Sequence, residues 1–240
     1  MSIDRLKDIV SNSNNIVFFG GAGVSTESNI PDFRSANGLY NENTKSSYSP
    51  EEILSHSFFI NHTEDFYNFY KSKMIYKNAK PNDAHISLAK LEQKRKLKAI
   101  ITQNIDGLHQ MAGSIEVLEL HGSVHRNYCM SCGKFHSIET IINSNGIPRC
   151  SECNGILKPD VVLYEEGLNN NVMEKAIDYI SKSEVLIVGG TSLTVYPASG
   201  LIRYFKGKHL ILINKSITQY DNLAEIVINA NIGETLKNIL

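Results

Sequence analysis

Four short runs of the chain are apolar at consecutive positions: residues 16–19, 99–101, 185–188 and 210–213. A strand with one wet face alternates apolar and polar residues. Unbroken runs therefore predict strands buried on both faces of a parallel sheet. Each run ends in small or polar residues: Gly20-Gly21, Thr102-Gln103-Asn104, Gly189-Gly190-Thr191-Ser192 and Asn214. Residues 117–120 predict a further strand, which ends at His121-Gly122. Between the runs the pattern is helical. Residues 63 to about 78 predict an amphipathic helix. Asn82-Asp83 offers a cap for another, with Ile86, Leu88, Ala89 and Leu91 facing inward. Residues 170–181 predict a third, with Val172, Ala176, Ile177 and Ile180 on one side. Strands alternating with helices predict a doubly wound α/β fold, in which ligands bind outside the carboxyl ends of the strands. Those ends carry nearly all the polar candidates of this chain.

Two stretches break the rhythm. Residues 30–49 are rich in Asn, Ser and Tyr and poor in aliphatics, and predict a long functional loop. Residues 124–157 are short-period and turn-rich, and predict a separate lobe. This second stretch holds every cysteine of the chain, as Cys129/Cys132 and Cys150/Cys153, two Cys-x-x-Cys pairs with 17 residues between them. Four thiolates in two knuckles suit tetrahedral zinc with no position left for water or substrate, so the metal is expected to be structural. Two disulfides are one alternative, but disulfide frameworks belong to small secreted chains; a redox Cys-x-x-Cys is the other, but it would not need two copies in a ribbon layout.

Composition narrows the classes. With 240 residues, 42% hydrophobic and 20% charged, the chain reads as globular. The formal net charge of -1 gives no basis for capture of nucleic acid or an anionic membrane. The N-terminus reads as a charged helix start, not a secretory leader, and no apolar stretch is long enough to span a bilayer. A cytoplasmic location is expected.

Several motifs can carry chemistry. The first strand runs into Gly20-Gly21-Ala22-Gly23-Val24-Ser25-Thr26, a glycine-rich turn whose amides can approach a pyrophosphate. Thr26 stands where a third glycine would complete G-x-G-x-x-G, so a simple tight turn stays open. Ile30-Pro31-Asp32-Phe33-Arg34 offers an aromatic wall and a charge, or a surface turn. Three polar side chains at the end of the second run, Thr102-Gln103-Asn104, with Asp106 beyond, are hard to explain by packing. His121 at a strand end suits either structure or catalysis.

Taken in order along the chain, these segments resemble the sirtuin family of NAD-dependent protein deacylases, of the bacterial type. The resemblance is carried by Gly21-Ala22-Gly23-Val24-Ser25, Ile30-Pro31-Asp32-Phe33-Arg34, Thr102-Gln103-Asn104-Ile105-Asp106, His121-Gly122, both cysteine knuckles, Lys158-Pro159-Asp160-Val161-Val162, Gly190-Thr191-Ser192-Leu193 and Ile213-Asn214. It implies a Rossmann-like doubly wound parallel sheet (residues 1–123 and 158–240, with a cofactor-loop and helical insertion at about 30–80) and a small zinc-binding domain (124–157). It implies NAD and an acylated lysine in the cleft between them. Ala22, Thr26, Thr191 and Ser192 would hold the pyrophosphate, with Phe33 and Arg34 in the cofactor loop. Gln103 would reach the nicotinamide-side ribose, and Asn104, Ile105 and Asp106 would line the nicotinamide pocket. Asn214 would meet the adenine-side ribose and Ile232 the adenine. His121 would be the general base and Cys129, Cys132, Cys150 and Cys153 the zinc ligands. The implied partners are acetylated lysines of proteins. The implied reaction moves the acetyl group to ADP-ribose and releases nicotinamide and O-acetyl-ADP-ribose.

Two departures stand out. Glu165 occupies a position where the family often has glycine. Members that remove acidic acyl groups carry Tyr-x-x-Arg behind the acyl pocket, and here that stretch is Tyr67-Asn68-Phe69-Tyr70, which favours neutral acyl groups such as acetyl. Competing readings are mono-ADP-ribosyl transfer, deacylation of other acyl-lysines, a zinc-ribbon nucleic-acid binder and an NAD-dependent dehydrogenase. The modest basic set Arg126, Lys134, Arg149 and Lys158 argues against the nucleic-acid binder. The missing third glycine and acidic ribose ligand argue against the dehydrogenase.

Overall fold

The structure, a computed structural model, describes residues 2–33, 38–41 and 47–240. In chain order its elements are α1 (Ser2–Asn12), β1 (Ile16–Gly20), α2 (Pro50–Ile53), α3 (His56–Asn61), α4 (Thr63–Lys73), α5 (Asp83–Gln93), β2 (Leu97–Thr102), α6 (Leu108–Met111), β3 (Val117–Glu119), β4 (Gly122–Cys129), β5 (Phe135–Ser137), α7 (Ile138–Asn143), β6 (Leu157–Val161), α8 (Asn170–Lys182), β7 (Val185–Gly189), β8 (His209–Ile213), β9 (Ile226–Ile228) and α9 (Ile232–Asn238).

The five sequence-predicted strands are β1, β2, β3, β7 and β8. With β9 they form a six-stranded sheet in the order β3-β2-β1-β7-β8-β9, parallel at every pairing. Its direction of growth reverses between β1 and β7, the switch point at which a doubly wound sheet opens a crevice. The registers level the strand ends there: Gly20 lies opposite both Thr102 and Gly189, and Gly189 lies opposite Ile213. Both faces are covered, as the unbroken apolar runs require. Ile16, Phe18, Ile100, Ile187, Ile211 and Ile213 pack with Leu6 of α1, Leu88 of α5 and Leu236 of α9. Val17, Phe19, Ile101, Leu186, Val188 and Leu212 pack on the opposite face with Ala176 and Ile180 of α8.

The helices differ from expectation in two details. Ile86 is 39% exposed, while Ala84, His85, Leu88 and Leu91 of α5 are buried. The inward stripe follows the i, i+4, i+7 rows from Ala84, which Ile86 does not join. Helix α4 stops at Lys73 instead of near Asn78. The chain there turns back, with Met74 and Ile75 packing beside the small-lobe core and a turn closing between Tyr76 and Ala79. Asn82 caps α5 as predicted, accepting from the Ala84 amide at 2.9 Å.

A second sheet, β5-β4-β6, is antiparallel and carries the cysteine knuckles. Its core is shared. Ile53, Leu54, Phe58, Phe59, Phe66, Tyr67 and Tyr70 from α2 to α4 pack with Val124, Cys129, Ile141, Cys150, Leu157 and Leu163. The Tyr67 hydroxyl donates to the Leu157 carbonyl, and Lys71 Nζ donates to the Ser144 and Gly146 carbonyls, both at 2.8 Å. Neither the helical segment nor the ribbon completes this core alone.

Candidate active site

The strand ends at the switch point open into a cleft of about 980 Å3. Glycine sets its floor. Gly190 sits at φ 60 with its carbonyl accepting from the Gly23 amide at 2.8 Å. A Cβ on Gly190 would lie 2.4 Å from the Val24 nitrogen, and one on Gly23 would lie 2.8 Å from the Gly190 Cα. Only residues without side chains let the turn after β1 and the turn after β7 meet this closely. The amides of Gly21, Gly23, Val24, Ser25 and Gly190 donate to backbone carbonyls there, which fixes the shape of the floor.

Beside that floor, the segment after β2 is locked by side chains. Ser25 Oγ donates to Asp106 Oδ2 at 2.6 Å and accepts from Asn104 Nδ2 at 3.0 Å. The second Asp106 oxygen accepts from the Leu108 amide at 2.9 Å. Gln103 Nε2 donates to Thr191 Oγ1 at 3.0 Å, which ties the β2 end to the β7 end across β1. His121 Nδ1 lies 3.0 Å from the Gln103 carbonyl. A carbonyl only accepts, so Nδ1 carries the proton and Nε2 keeps its lone pair. Burial pushes the His121 pKa below its ordinary value, against the opposing effect of the Gln103 carbonyl. The ring is thus neutral near pH 7, with a basic nitrogen available.

All but one of the predicted cofactor-side residues line this cleft: Ala22, Thr26, Phe33, Gln103, Asn104, Ile105, Asp106, His121, Thr191, Ser192, Asn214 and Ile232. Arg34 lies outside the described residues. Tyr67 and Tyr70 do not line the cleft; they are 1% and 0% exposed, inside the small-lobe core. In the same core are Leu54, Val124, Ile138 and Val161, which do line the cleft. The apolar ring area of the two tyrosines outweighs any gain from presenting a hydroxyl to the cleft. Three cleft residues were missed. Ser25 is the hub of the polar lock, His125 bonds the Asp106 carbonyl through Nε2 at 3.0 Å, and Tyr196 forms part of the rim. Ser25 could have been found from its place in the glycine-rich turn. His125 and Tyr196 carry no sequence signal.

The four cysteine Sγ atoms lie within 4.8 Å of one another. All four are free thiols: Cys129 and Cys153 Sγ are 3.3 Å apart, and Cys132 and Cys150 Sγ 3.7 Å. These spacings exclude disulfide bonds of about 2.05 Å. The backbone amides of Cys132 and Ser131 hold the Cys129 thiol down to about 6, and those of Cys153 and Glu152 hold Cys150 down to about 7. Cys132 and Cys153, whose protons these neighbours share, are raised in turn, and four sulfurs in this spacing are compatible with zinc.

The Sir2 family model matches residues 21–197. The chain belongs to that family. A Clostridium perfringens protein named NAD-dependent protein deacetylase is 64% identical over 239 residues, covering 99% of this chain and 98% of its own. A Cutibacterium acnes protein of the same name is 49% identical, covering 100% and 98%. A solved Sir2 structure with a deacetylated p53 peptide and 3'-O-acetyl ADP ribose has a TM-score of 0.90 at 38% identity, covering 100% of this chain and 97% of that one. A Sir2 complex with p53 peptide and NAD has a TM-score of 0.86 at 38% identity, with the same coverage. The Rossmann-like architecture of this Sir2 chain, with a small lobe holding four cysteines, is the fold of those neighbours. Among the described residues no helix is long and apolar enough to cross a membrane.

Proposed function

We propose that this Sir2 chain is an NAD-dependent protein lysine deacetylase that transfers the acetyl group of an acetylated lysine to ADP-ribose, giving nicotinamide and O-acetyl-ADP-ribose. One observation carries the reading: the Gly23–Gly190 floor, the Ser25–Asn104–Asp106 lock and the His121 base face a single cleft. NAD supplies the ADP-ribose acceptor and the nicotinamide leaving group.

The residues divide the work. Ala22, Thr26, Thr191 and Ser192 surround the floor and hold the pyrophosphate, with Phe33 and Arg34 of the cofactor loop. Gln103 is braced by Thr191 and reaches the nicotinamide-side ribose. Asn104 and Asp106 are oriented by Ser25, and with Ile105 they seat the nicotinamide. Asn214 and Ile232 serve the adenosine end. His121 Nε2 takes a proton from a ribose hydroxyl, for which a neutral imidazole is the required form. Cys129, Cys132, Cys150 and Cys153 hold zinc, which fastens the small lobe and takes no part in the reaction. The domain reading that accompanies this is a Rossmann-like body of residues 1–123 and 158–240 and a zinc ribbon of 124–157. The shared aromatic core supports grouping α2 to α4 with the ribbon. The four free thiols support a cytoplasmic protein.

The test is a mass-spectrometric assay with an acetyl-lysine peptide and NAD. Deacetylated peptide, nicotinamide and O-acetyl-ADP-ribose should appear together and in equal amounts. ADP-ribose attached to protein without deacetylation would instead establish mono-ADP-ribosyl transfer. Preferred release of other acyl groups would establish the wider deacylase.

A further inference from the structure

Glu165 occupies a backbone position that ordinarily selects glycine. The Leu163 carbonyl accepts from the Glu166 amide at 3.0 Å, closing a turn in which Glu165 is the third residue, at φ 74. A turn with positive φ at that place favours glycine, because a Cβ crowds the backbone there. Glutamate stands there instead, at the surface, and its carboxylate is held by one exposed partner, Ser57. One carboxylate oxygen accepts from the Ser57 amide at 2.9 Å, and both lie 2.6 Å from the Ser57 hydroxyl. Around it the two segments are stitched together. The Tyr164 amide donates to the Leu54 carbonyl and the His56 amide to the Tyr164 carbonyl, each at 3.0 Å. Glu166 meets His56 Nδ1 at 2.8 Å, Lys158 Nζ at 3.1 Å and the Leu163 amide at 2.9 Å. Residues 161–166 form one wall of the cleft.

We propose that Glu165 and Ser57 are positioning residues for the protein substrate: their clasp fixes residues 162–166 against the corner between α2 and α3, and so presents that wall to an acetyl-lysine peptide in a preset conformation. The inference rests on the deacetylase reading and adds the residues that set peptide affinity. Neither residue belongs to the NAD side of the cleft, which is formed by the turns after β1, β2, β7 and β8 and the start of α9. The clasp therefore acts on peptide binding and leaves NAD binding and the proton transfer at His121 alone. The hydrogen bonds to a charged acceptor are short, and the Glu165 carboxyl is held below its ordinary range by the Ser57 hydroxyl and amide.

The experiment is steady-state kinetics of the zinc-loaded full chain with an acetyl-lysine peptide, for Glu165→Ala, Glu165→Gln and Glu165→Gly. Glu165→Ala should raise the peptide KM by about fivefold or more while kcat and the NAD KM stay within about twofold, the signature of lost ground-state binding. Glu165→Gln keeps an acceptor oxygen for Ser57 and should return the peptide KM to within about twofold of the parent. Glu165→Gly suits φ 74 without the clasp, so it decides the matter if the alanine variant fails to fold, and it should resemble a folded Glu165→Ala. A peptide KM unmoved in the folded alanine or glycine variant overturns the inference, as do equal shifts in kcat and the NAD KM. A parent protein that turns over no acetyl peptide overturns the deacetylase reading itself, and the inference with it. A parent that turns over, with an unmoved variant, overturns only the clasp.

Discussion

In the six-stranded sheet, core partners follow from local pattern: successive residues of one strand, such as Phe18 and Phe19, enter opposite layers. In the small lobe they do not. Tyr67 of α4 bonds the carbonyl of Leu157, 90 positions along the chain, and three aromatic residues of one helix fill space beneath a ribbon they do not adjoin in sequence. The sheet gains its order from hydrophobic burial on two faces, which each strand announces by itself. The small lobe has three strands, and its order comes from a borrowed helical face and four cysteines. The cleft lies where the two kinds of construction meet, so each can be broken separately.

The largest effect is expected from the cysteines. Chelation of zinc, or Cys150→Ser, should unfold the small lobe, because structural zinc sites contribute on the order of 10–16 kcal/mol to the folding of small domains. The parallel sheet should survive as a separate, later transition in chemical denaturation, with activity already gone. A single transition that ignores chelators would show that the aromatic core suffices and would erase the contrast.

The next perturbation touches neither core. His121→Ala should lower kcat by about 10²–10⁴-fold, the usual weight of a general base, with zinc content and thermal unfolding unchanged. In the parent enzyme kcat/KM should fall on acidification through a pKa below about 6.5, since burial favours the neutral ring. That acid limb should be absent from the residual rate of the variant. Undiminished turnover in His121→Ala would remove the residue from the reaction.

The same contrast explains what the chain revealed in advance. Residues 16–19 and 185–188 must be apolar without interruption to lie inside a parallel sheet, so they were legible. The cleft residues were legible as polar groups at strand ends, where packing has no use for them. Strand β9, Ile226–Ile228, is an apolar run of only three residues that was passed over, although it is as long as the run at 99–101. What packs over Tyr67 and Tyr70 was not legible, because a helical stripe shows that a face is covered and not what covers it. The lock on Asp106 through Ser25 spans 81 positions, and a separation of that size leaves no local trace.

Acid should strike the sheet side more gradually. His85 of α5 and His109 of α6 pack with ring centroids 4.7 Å apart and their planes tilted by 58°, and His109 also packs near Phe18. Both are buried, with His85 Nε2 and both ring nitrogens of His109 lacking a hydrogen-bond partner among the described residues. Desolvation lowers His85 to about 4, and desolvation with the neighbouring His85 lowers His109 to about 3. The sign follows from proton counting: below about 6.5 the unfolded chain binds protons that the folded chain refuses. Stability is therefore full above that pH and falls on acidification until the folded values are reached. The loss is on the order of 1.4 kcal/mol per pH unit for each ring. Denaturant titrations of the chelator-free protein at pH 7 and 5.5 should show it in the sheet transition. His109→Gln should roughly halve the slope, and a flat profile in the parent would mean both rings are protonated in the fold.

The smallest effect is a comparison inside the small lobe, between two tyrosines one turn apart. Both rings are in the same aromatic cluster, and burial raises both hydroxyl pKa values, that of Tyr70 well above the ordinary value. They differ in what the hydroxyl meets. Tyr67 donates to the Leu157 carbonyl at the start of β6, whereas Tyr70 Oη has no partner among the described residues. Tyr67→Phe removes the donor and strands a buried carbonyl, which costs about 1–3 kcal/mol. Tyr70→Phe removes an oxygen whose desolvation was never offset, so stability should stay within about 0.5 kcal/mol of the parent or rise. Thermal unfolding of the two variants side by side, with the small-lobe transition followed by tyrosine fluorescence, reads the difference directly. Equal losses would mean that the Tyr70 hydroxyl is paired after all, and that the lobe is held together by more hydrogen bonding than its aromatic packing implies.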